Sequence, residues 1–167
     1  MTDKDSRHSY LQPYRELTDG MAVDRVLEIG VLEGSSLALW QEWWPDAEIH
    51  GVDNHLRPEA PINAPRAVLH QADAYHADFC CNTFGADCDL IIDDGDHQLH
   101  SMVFVAAHYP QHLRPGGVLV IEDIPHESWI PKLEQATPPE LRDRTEYIDR
   151  TTVEGTAPDS RLFVIRR

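Results

Sequence analysis

Five short aliphatic runs recur along this chain, most of them separated from the next by a stretch with helical patterning. They are RVLEIGV (25–31), AEIHGVDN (47–54), RAVLHQADAY (66–75), CDLIIDDG (88–95) and VLVIEDI (118–124). Near-continuous branched aliphatics, rather than a strict apolar–polar alternation, mark strands covered on both faces. Their alternation with helices predicts an α/β domain: a doubly wound, Rossmann-like, mainly parallel sheet with helices on both faces. Two further runs, TEYIDRT and RLFVIRR, raise the count to seven strands. The loop VEGTAPDS is too short for a helical crossover, so the last two should be antiparallel to one another.

The intervening helices read as follows. SYLQPYRELTDGMA, within a leading segment of residues 1–22, predicts a helix ending near Gly20. SSLALWQEWW predicts a helix capped by Ser35 or Ser36 and stopped by Pro45. Residues 55–65, with three prolines, read as loop. A short helix is expected from Asp78 to Phe84. A longer one follows from Gln98, with Met102, Val105, Ala106 and Tyr109 on one face, and another spans Glu127 to Ala136. RPGG turns the chain into the fifth strand. At 167 residues the whole length, 1–167, reads as one domain.

Twenty-nine acidic residues against 14 basic ones give a net charge of −15, the wrong sign for a nucleic-acid or anionic-membrane partner. The opening residues lack the apolar core of a signal peptide, and no apolar run approaches the ~18 residues of a membrane span. Cys80, Cys81 and Cys88 fit neither a disulfide framework nor a CxxC zinc site. A cytoplasmic protein with reduced thiols is the expectation; an oligomer of identical chains is compatible with it.

Two strand ends concentrate acids. IIDDGDH ends the fourth run and IED the fifth, although buried like charges repel unless compensated. If strands four and five are parallel neighbours, about 4.8 Å apart, one cation between Asp94 and the Glu122–Asp123 pair accounts for both clusters. All-oxygen ligands favour a hard ion such as Mg²⁺. His97, three residues past Asp94, is placed to take a proton. His97 and His100 could suggest zinc, but no cysteine or third histidine completes such a site. Asp93 could face a ligand or simply end its strand, and Tyr10 and Tyr14 could line the site or pack the core.

The turn LEIGVLEGSS places Gly30 and Gly34 between a strand and a helix, where glycines let backbone approach a ligand. Asp53 ends the second strand about 20 residues on, the position of an acid that binds ribose hydroxyls. The spacing lacks the full G-x-G-x-x-G, which disfavours NAD and a hydride-transferring oxidoreductase. A ribose without a diphosphate points to S-adenosylmethionine.

RVLEIGVLEGSSL, IHGVDN, HQADAY, LIIDDGDH and LRPGGVLVIED together resemble the class I S-adenosylmethionine-dependent methyltransferases. More narrowly they are similar to metal-dependent sugar O-methyltransferases of the macrocin and mycinamicin type, and TDKDSRHSYLQPY is similar to that group's leading segment. The resemblance runs from about residue 3 to residue 124. It implies a cofactor pocket of Glu28, Gly30, Gly34 and Ser35 around the methionine part, Asp53 on the ribose and Asp73 on the adenine side. Asp93 is a candidate contact to the cofactor's amino group. It implies Asp94, Glu122 and Asp123 as Mg²⁺ ligands and His97 as general base. Asp96 departs from the small residue common in that group. The reaction implied is methyl transfer to a hydroxyl of a small acceptor, foremost a sugar of a glycosylated natural product. The alternative is a protein that binds S-adenosylmethionine without transferring methyl, regulatory or repurposed as a cyclase or dehydratase.

Overall fold

The computed structural model describes residues 2–77, 79 and 87–167. Seven strands form one sheet: β1 Arg25–Ile29, β2 Glu48–Asp53, β3 Val68–Gln71, β4 Cys88–Asp93, β5 Leu113–Ile121, β6 Thr145–Asp149 and β7 Arg161–Arg166. Their order is β3-β2-β1-β4-β5-β7-β6. The first five are mutually parallel; β7 enters antiparallel between β5 and β6. The short loop between β6 and β7 dictates their antiparallel pairing, as expected.

The helices are α1 Asp3–Ser6, α2 Leu11–Leu17, α3 Ser35–Trp43, α4 Ala60–Asn63, α5 Leu99–His108 and α6 Ile130–Ala136. Alternation along each strand divides the core in two. Leu27, Ile29, Ile91, Leu119 and Ile121 face Met102, Val105 and Ala106 of α5, together with Tyr109 and, from α6, Leu133. Val26, Leu90, Ile92, Val118 and Val120 face Tyr10, Tyr14, Leu37 and Trp40 on the other side. The α5 face read from the sequence is the buried one.

Four local expectations need correction. The helix expected over SYLQPYRELTDGMA is the shorter α2, Leu11–Leu17, and a separate one-turn helix, α1, precedes it. The N-cap of α3 is Gly34, at φ +78°, because the Ser36 hydroxyl is used by buried Glu28 instead. The proline-rich stretch contains α4, with Pro61 in its first turn where a missing N–H is harmless. RPGG lies inside β5, which pairs from Leu113 onward through a register shift opposite Cys88 and Leu90. Of the helix expected over Asp78 to Phe84, with Cys80 and Cys81, all but Phe79 falls outside the described residues. Cys88 is a buried free thiol, pushed up to about 12 by burial. No helix among the described residues is long and apolar enough to cross a membrane.

The strand order places the functional residues. From β1 the chain builds outward through β2 to β3, then returns to the opposite side of β1 with β4. The carboxyl ends of β1 and β4 therefore flank the switch point, where doubly wound sheets bind ligands.

Candidate active site

A cavity of about 960 Å³ opens at this switch point, within the upper range of ligand sites. Its wall runs from Asp53 and the Gly30 turn to Asp94, His97 and Asp123.

The loops after β1 and β4 are pressed together. Asp94 N–H donates to the Ile29 carbonyl at 2.9 Å, and Gly30 N–H to that of Val52 at 2.9 Å. A Cβ on Gly30 would lie 2.0 Å from the Asp94 carbonyl oxygen, and φ here is +87°. Only glycine meets both demands. Asp53 reaches back to this turn: one oxygen accepts from Val31 N–H at 2.8 Å and Leu32 N–H at 3.2 Å, the other from His55 N–H at 2.9 Å. Its carboxylate thus braces the glycine turn from the cavity wall.

The other residues expected around a cofactor divide. Gly30, Ser35, Asp53 and Asp73 line the cavity. Gly34 supports it from beneath, where a Cβ would approach the Ala60 carbonyl to 3.0 Å. Asp73 is exposed and accepts from Tyr75 N–H at 2.9 Å. Glu28 and Asp93 stand off the wall. Strand alternation turns Glu28 to the opposite face from Leu27 and Ile29, where it is wholly buried and accepts from Ser36 and Trp40. Burial, opposed by Lys4, pushes its carboxyl up to about 7. Glu28 is therefore a buried brace for α3 and not a cavity contact. Asp93 is also buried and accepts from the Tyr75 hydroxyl at 2.8 Å. Burial raises it to about 7 despite that hydrogen bond.

A cation does stand between the two acidic strand ends, and it is Lys4. Its ammonium lies 2.6 Å from Glu122 Oε2, 2.8 Å from Asp94 Oδ2 and 4.0 Å from Glu28 Oε1. The side chain is 1% exposed. Burial alone would favour the neutral amine, but Asp94, Glu122 and Glu28 outweigh it and hold the ammonium well above its ordinary range. The second Glu122 oxygen accepts from Tyr14, so Lys4 and Tyr14 occupy both its oxygens. Burial pushes Glu122 up against the opposing pull of Lys4. Asp123 accepts from the Tyr10 hydroxyl at 2.7 Å and stands 3.1 Å from His8 Nδ1. Of the two roles considered for Tyr10 and Tyr14, core packing is the one seen: both are fully buried and neither lines the cavity, while their hydroxyls hold the acids from behind.

Asp94 divides its oxygens. Oδ2 meets Lys4, while Oδ1 lies 4.0 Å from His97 Nε2. Donor atoms from Asp94, His97 and Asp123 fall within 4.8 Å of one another, and those three residues form a set able to hold a metal ion. Glu122, expected among the ligands, instead faces inward to Lys4. Two carboxylates completed by water or substrate oxygens suit Mg²⁺; adding the imidazole moves the preference toward Mn²⁺ or Zn²⁺. The donors fit a divalent cation.

Leu32, His97 and Asp123 all have positive φ, at +48°, +54° and +54°, and all line this cavity. Such conformations cost about 1–3 kcal/mol each and concentrate where function holds them. His97 Nδ1 is buried and makes no hydrogen bond among the described residues.

Lys4, His8 and Tyr75 were not apparent as site residues from the sequence. Lys4 did carry a signal: it is one of only two lysines in a chain whose acidic clusters call for a cation. A one-turn helix has no periodicity to announce it.

Residues 27–124, more than half of the chain, match the model of a methyltransferase domain. The mycinamicin VI 2''-O-methyltransferase of Micromonospora griseorubida is 35% identical over 116 residues, covering 63% of this chain and 28% of the relative. An 8-demethyl-8-alpha-L-rhamnosyl tetracenomycin-C 2'-O-methyltransferase of Streptomyces olivaceus is 28% identical over 163 residues, covering 89% and 42%. This chain spans less than half the length of either relative. The structure of the MycE methyltransferase of mycinamycin biosynthesis, with Mg, S-adenosylhomocysteine and mycinamycin VI, superposes with a TM-score of 0.70 at 22% identity, over 95% of this chain and 48% of that one. The glycine turn and the carboxyl ends of β1 to β5 lie within the matched residues, and the chain belongs to the methyltransferase domain family.

Proposed function

We propose that this protein transfers the methyl group of S-adenosylmethionine to a hydroxyl of a small acceptor, foremost a sugar of a glycosylated natural product, with Mg²⁺ or a similar ion bound. One observation carries the reading: a single cavity joins the Gly30 turn and Asp53 to Asp94, His97 and Asp123. A cofactor held by its ribose at Asp53 and its methionine part over the Gly30 turn would point its sulfonium toward the acidic end. The positive sulfonium suits those acids. By name, one relative acts on mycinamicin VI and another on a rhamnosyl tetracenomycin-C, and MycE was solved with Mg and S-adenosylhomocysteine.

The chain's own residues then supply positioning and a proton acceptor. Transfer forms an acceptor O–C bond as the S–C bond breaks, leaving S-adenosylhomocysteine. The methyl donor arrives activated, so alignment does most of the work. The hydroxyl proton passes to His97 at Nε2, and Asp94 Oδ1 at 4.0 Å stabilises the imidazolium that results. The cation would be held by Asp94 and Asp123, with Glu122 behind them. When bound, it supplies positive charge that makes a neighbouring hydroxyl more acidic.

The reading is tested by offering a panel of sugars and glycosides with S-adenosylmethionine and Mg²⁺, measuring S-adenosylhomocysteine release and locating the methyl on the product. Methyl on oxygen, lost on chelation of the ion, is the expected result. Release that no acceptor stimulates, or methyl found on nitrogen, would overturn it.

A further inference from the structure

We infer that Lys4 is a positioning residue of the metal site, a fixed inner cation that keeps the divalent ion at the cavity face of Asp94 and Asp123. This rests on the proposed metal dependence and extends it to the leading segment. The geometry is asymmetric. Lys4 occupies the inner oxygens, Asp94 Oδ2 and Glu122 Oε2, at 2.8 and 2.6 Å, and Tyr14 takes the other oxygen of Glu122. The Asp94–His97–Asp123 donors remain on the cavity side. Without the ammonium, Asp94 and Glu122 would present an anionic pair deeper in the protein, and a divalent ion would be drawn inward, away from the acceptor.

The placement of Lys4 is held by several contacts. Thr2 caps α1, and Lys4 C=O accepts from Tyr10 N–H at 2.7 Å. Ala157 N–H donates to the Arg7 carbonyl at 2.9 Å, and His8 Nδ1 lies 3.0 Å from Ser160 Oγ. A single helical turn is not stable alone, so these tertiary contacts fix it. Thr2, Asp3, Arg7 and His8 of the same segment line the cavity. Docking of residues 2–10 therefore places the inner cation and completes the cavity wall together.

The probe is Mn²⁺ alone, titrated by electron paramagnetic resonance into the full chain, its Lys4→Met and Lys4→Arg variants, and Asp123→Asn. The parent should bind one Mn²⁺, Asp123→Asn should lose it, and Lys4→Met should bind it at least tenfold more tightly because a repelling charge is gone. Lys4→Arg should restore the parental affinity. A second measurement needs no variant: amine acylation read by mass spectrometry should find Lys4 protected both with and without Mn²⁺. Parental Mn²⁺ affinity in Lys4→Met, or Lys4 becoming reactive when Mn²⁺ is added, overturns the inference while leaving the metal reading intact. No Mn²⁺ binding by parent or variants overturns both.

Discussion

Replacing Gly30 by alanine tests the contact on which the cavity is built, and Gly116 provides a matched control. Both glycines have φ +87°, but a Cβ on Gly116 meets nothing within 4 Å, whereas on Gly30 it falls 2.0 Å from the Asp94 carbonyl oxygen. The left-handed conformation costs a non-glycine residue about 1–2 kcal/mol, equally at both sites. Relief at Gly30 requires a shift of roughly 1 Å between two backbones, and angle distortions of about 15° cost about 4 kcal/mol. Gly30→Ala should therefore lose about 3–5 kcal/mol more than Gly116→Ala. At about 2–4 °C per kcal/mol for a chain of this size, the extra fall in Tm is on the order of 10 °C. Urea and thermal melts of the two variants measure it, and calorimetry of the folded variant should show weakened S-adenosylhomocysteine binding. Equal losses at the two positions would refute the close approach of the Gly30 and Asp94 loops.

Two further outcomes are expected. Asp53→Ala should weaken S-adenosylhomocysteine binding in calorimetry by about 1–3 kcal/mol, with NAD binding far more weakly than either adenosyl ligand to the parent; parental affinity in the variant would remove Asp53 from the ribose site. Glu28 bears on pH: its carboxyl is raised from an ordinary 4.5 to about 7, so the folded state holds a proton that the unfolded chain has lost. That contribution is fully present below about pH 4.5 and disappears as pH rises through about 7, on the order of 3 kcal/mol in all. Glu28→Gln, which stays neutral, should flatten the fall of Tm across that window; a profile parallel to the parent's would show Glu28 ionised throughout.

The parallel part of the sheet was legible because each aliphatic run is long enough to be buried on both faces and ends in a glycine or an acid. The α5 face was legible because Met102, Val105 and Ala106 repeat at helical spacing. Glu28 was misplaced despite an available signal: it sits between Leu27 and Ile29 on a strand, so it must face away from them. The cation between Asp94 and Glu122 was anticipated as a metal alone, because Lys4 is 90 residues from Asp94 in the chain and reaches it only through the folding of a one-turn helix. The start of β5 was hidden because Pro115 and Gly116 signal a turn wherever they occur, and only the register shift against β4 reveals a strand. Long-range pairing, not local propensity, made the last two of these differences.

The central claim, methyl transfer assisted by a base at the acidic end of the cavity, is tested most directly by the turnover of a His97 variant on a productive acceptor. Because His97 has φ +54°, Asn is the better replacement than Ala: it tolerates that conformation and leaves the loop in place. His97→Asn should lose about 10²- to 10⁴-fold in kcat. S-adenosylhomocysteine affinity should stay close to the parent's, since the imidazole is not assigned to the cofactor. Turnover at the parental rate would contradict His97 as the base. Tight cofactor binding with no methylated product from any acceptor, in parent and variant alike, would contradict methyl transfer itself and leave a protein that binds S-adenosylmethionine for another purpose.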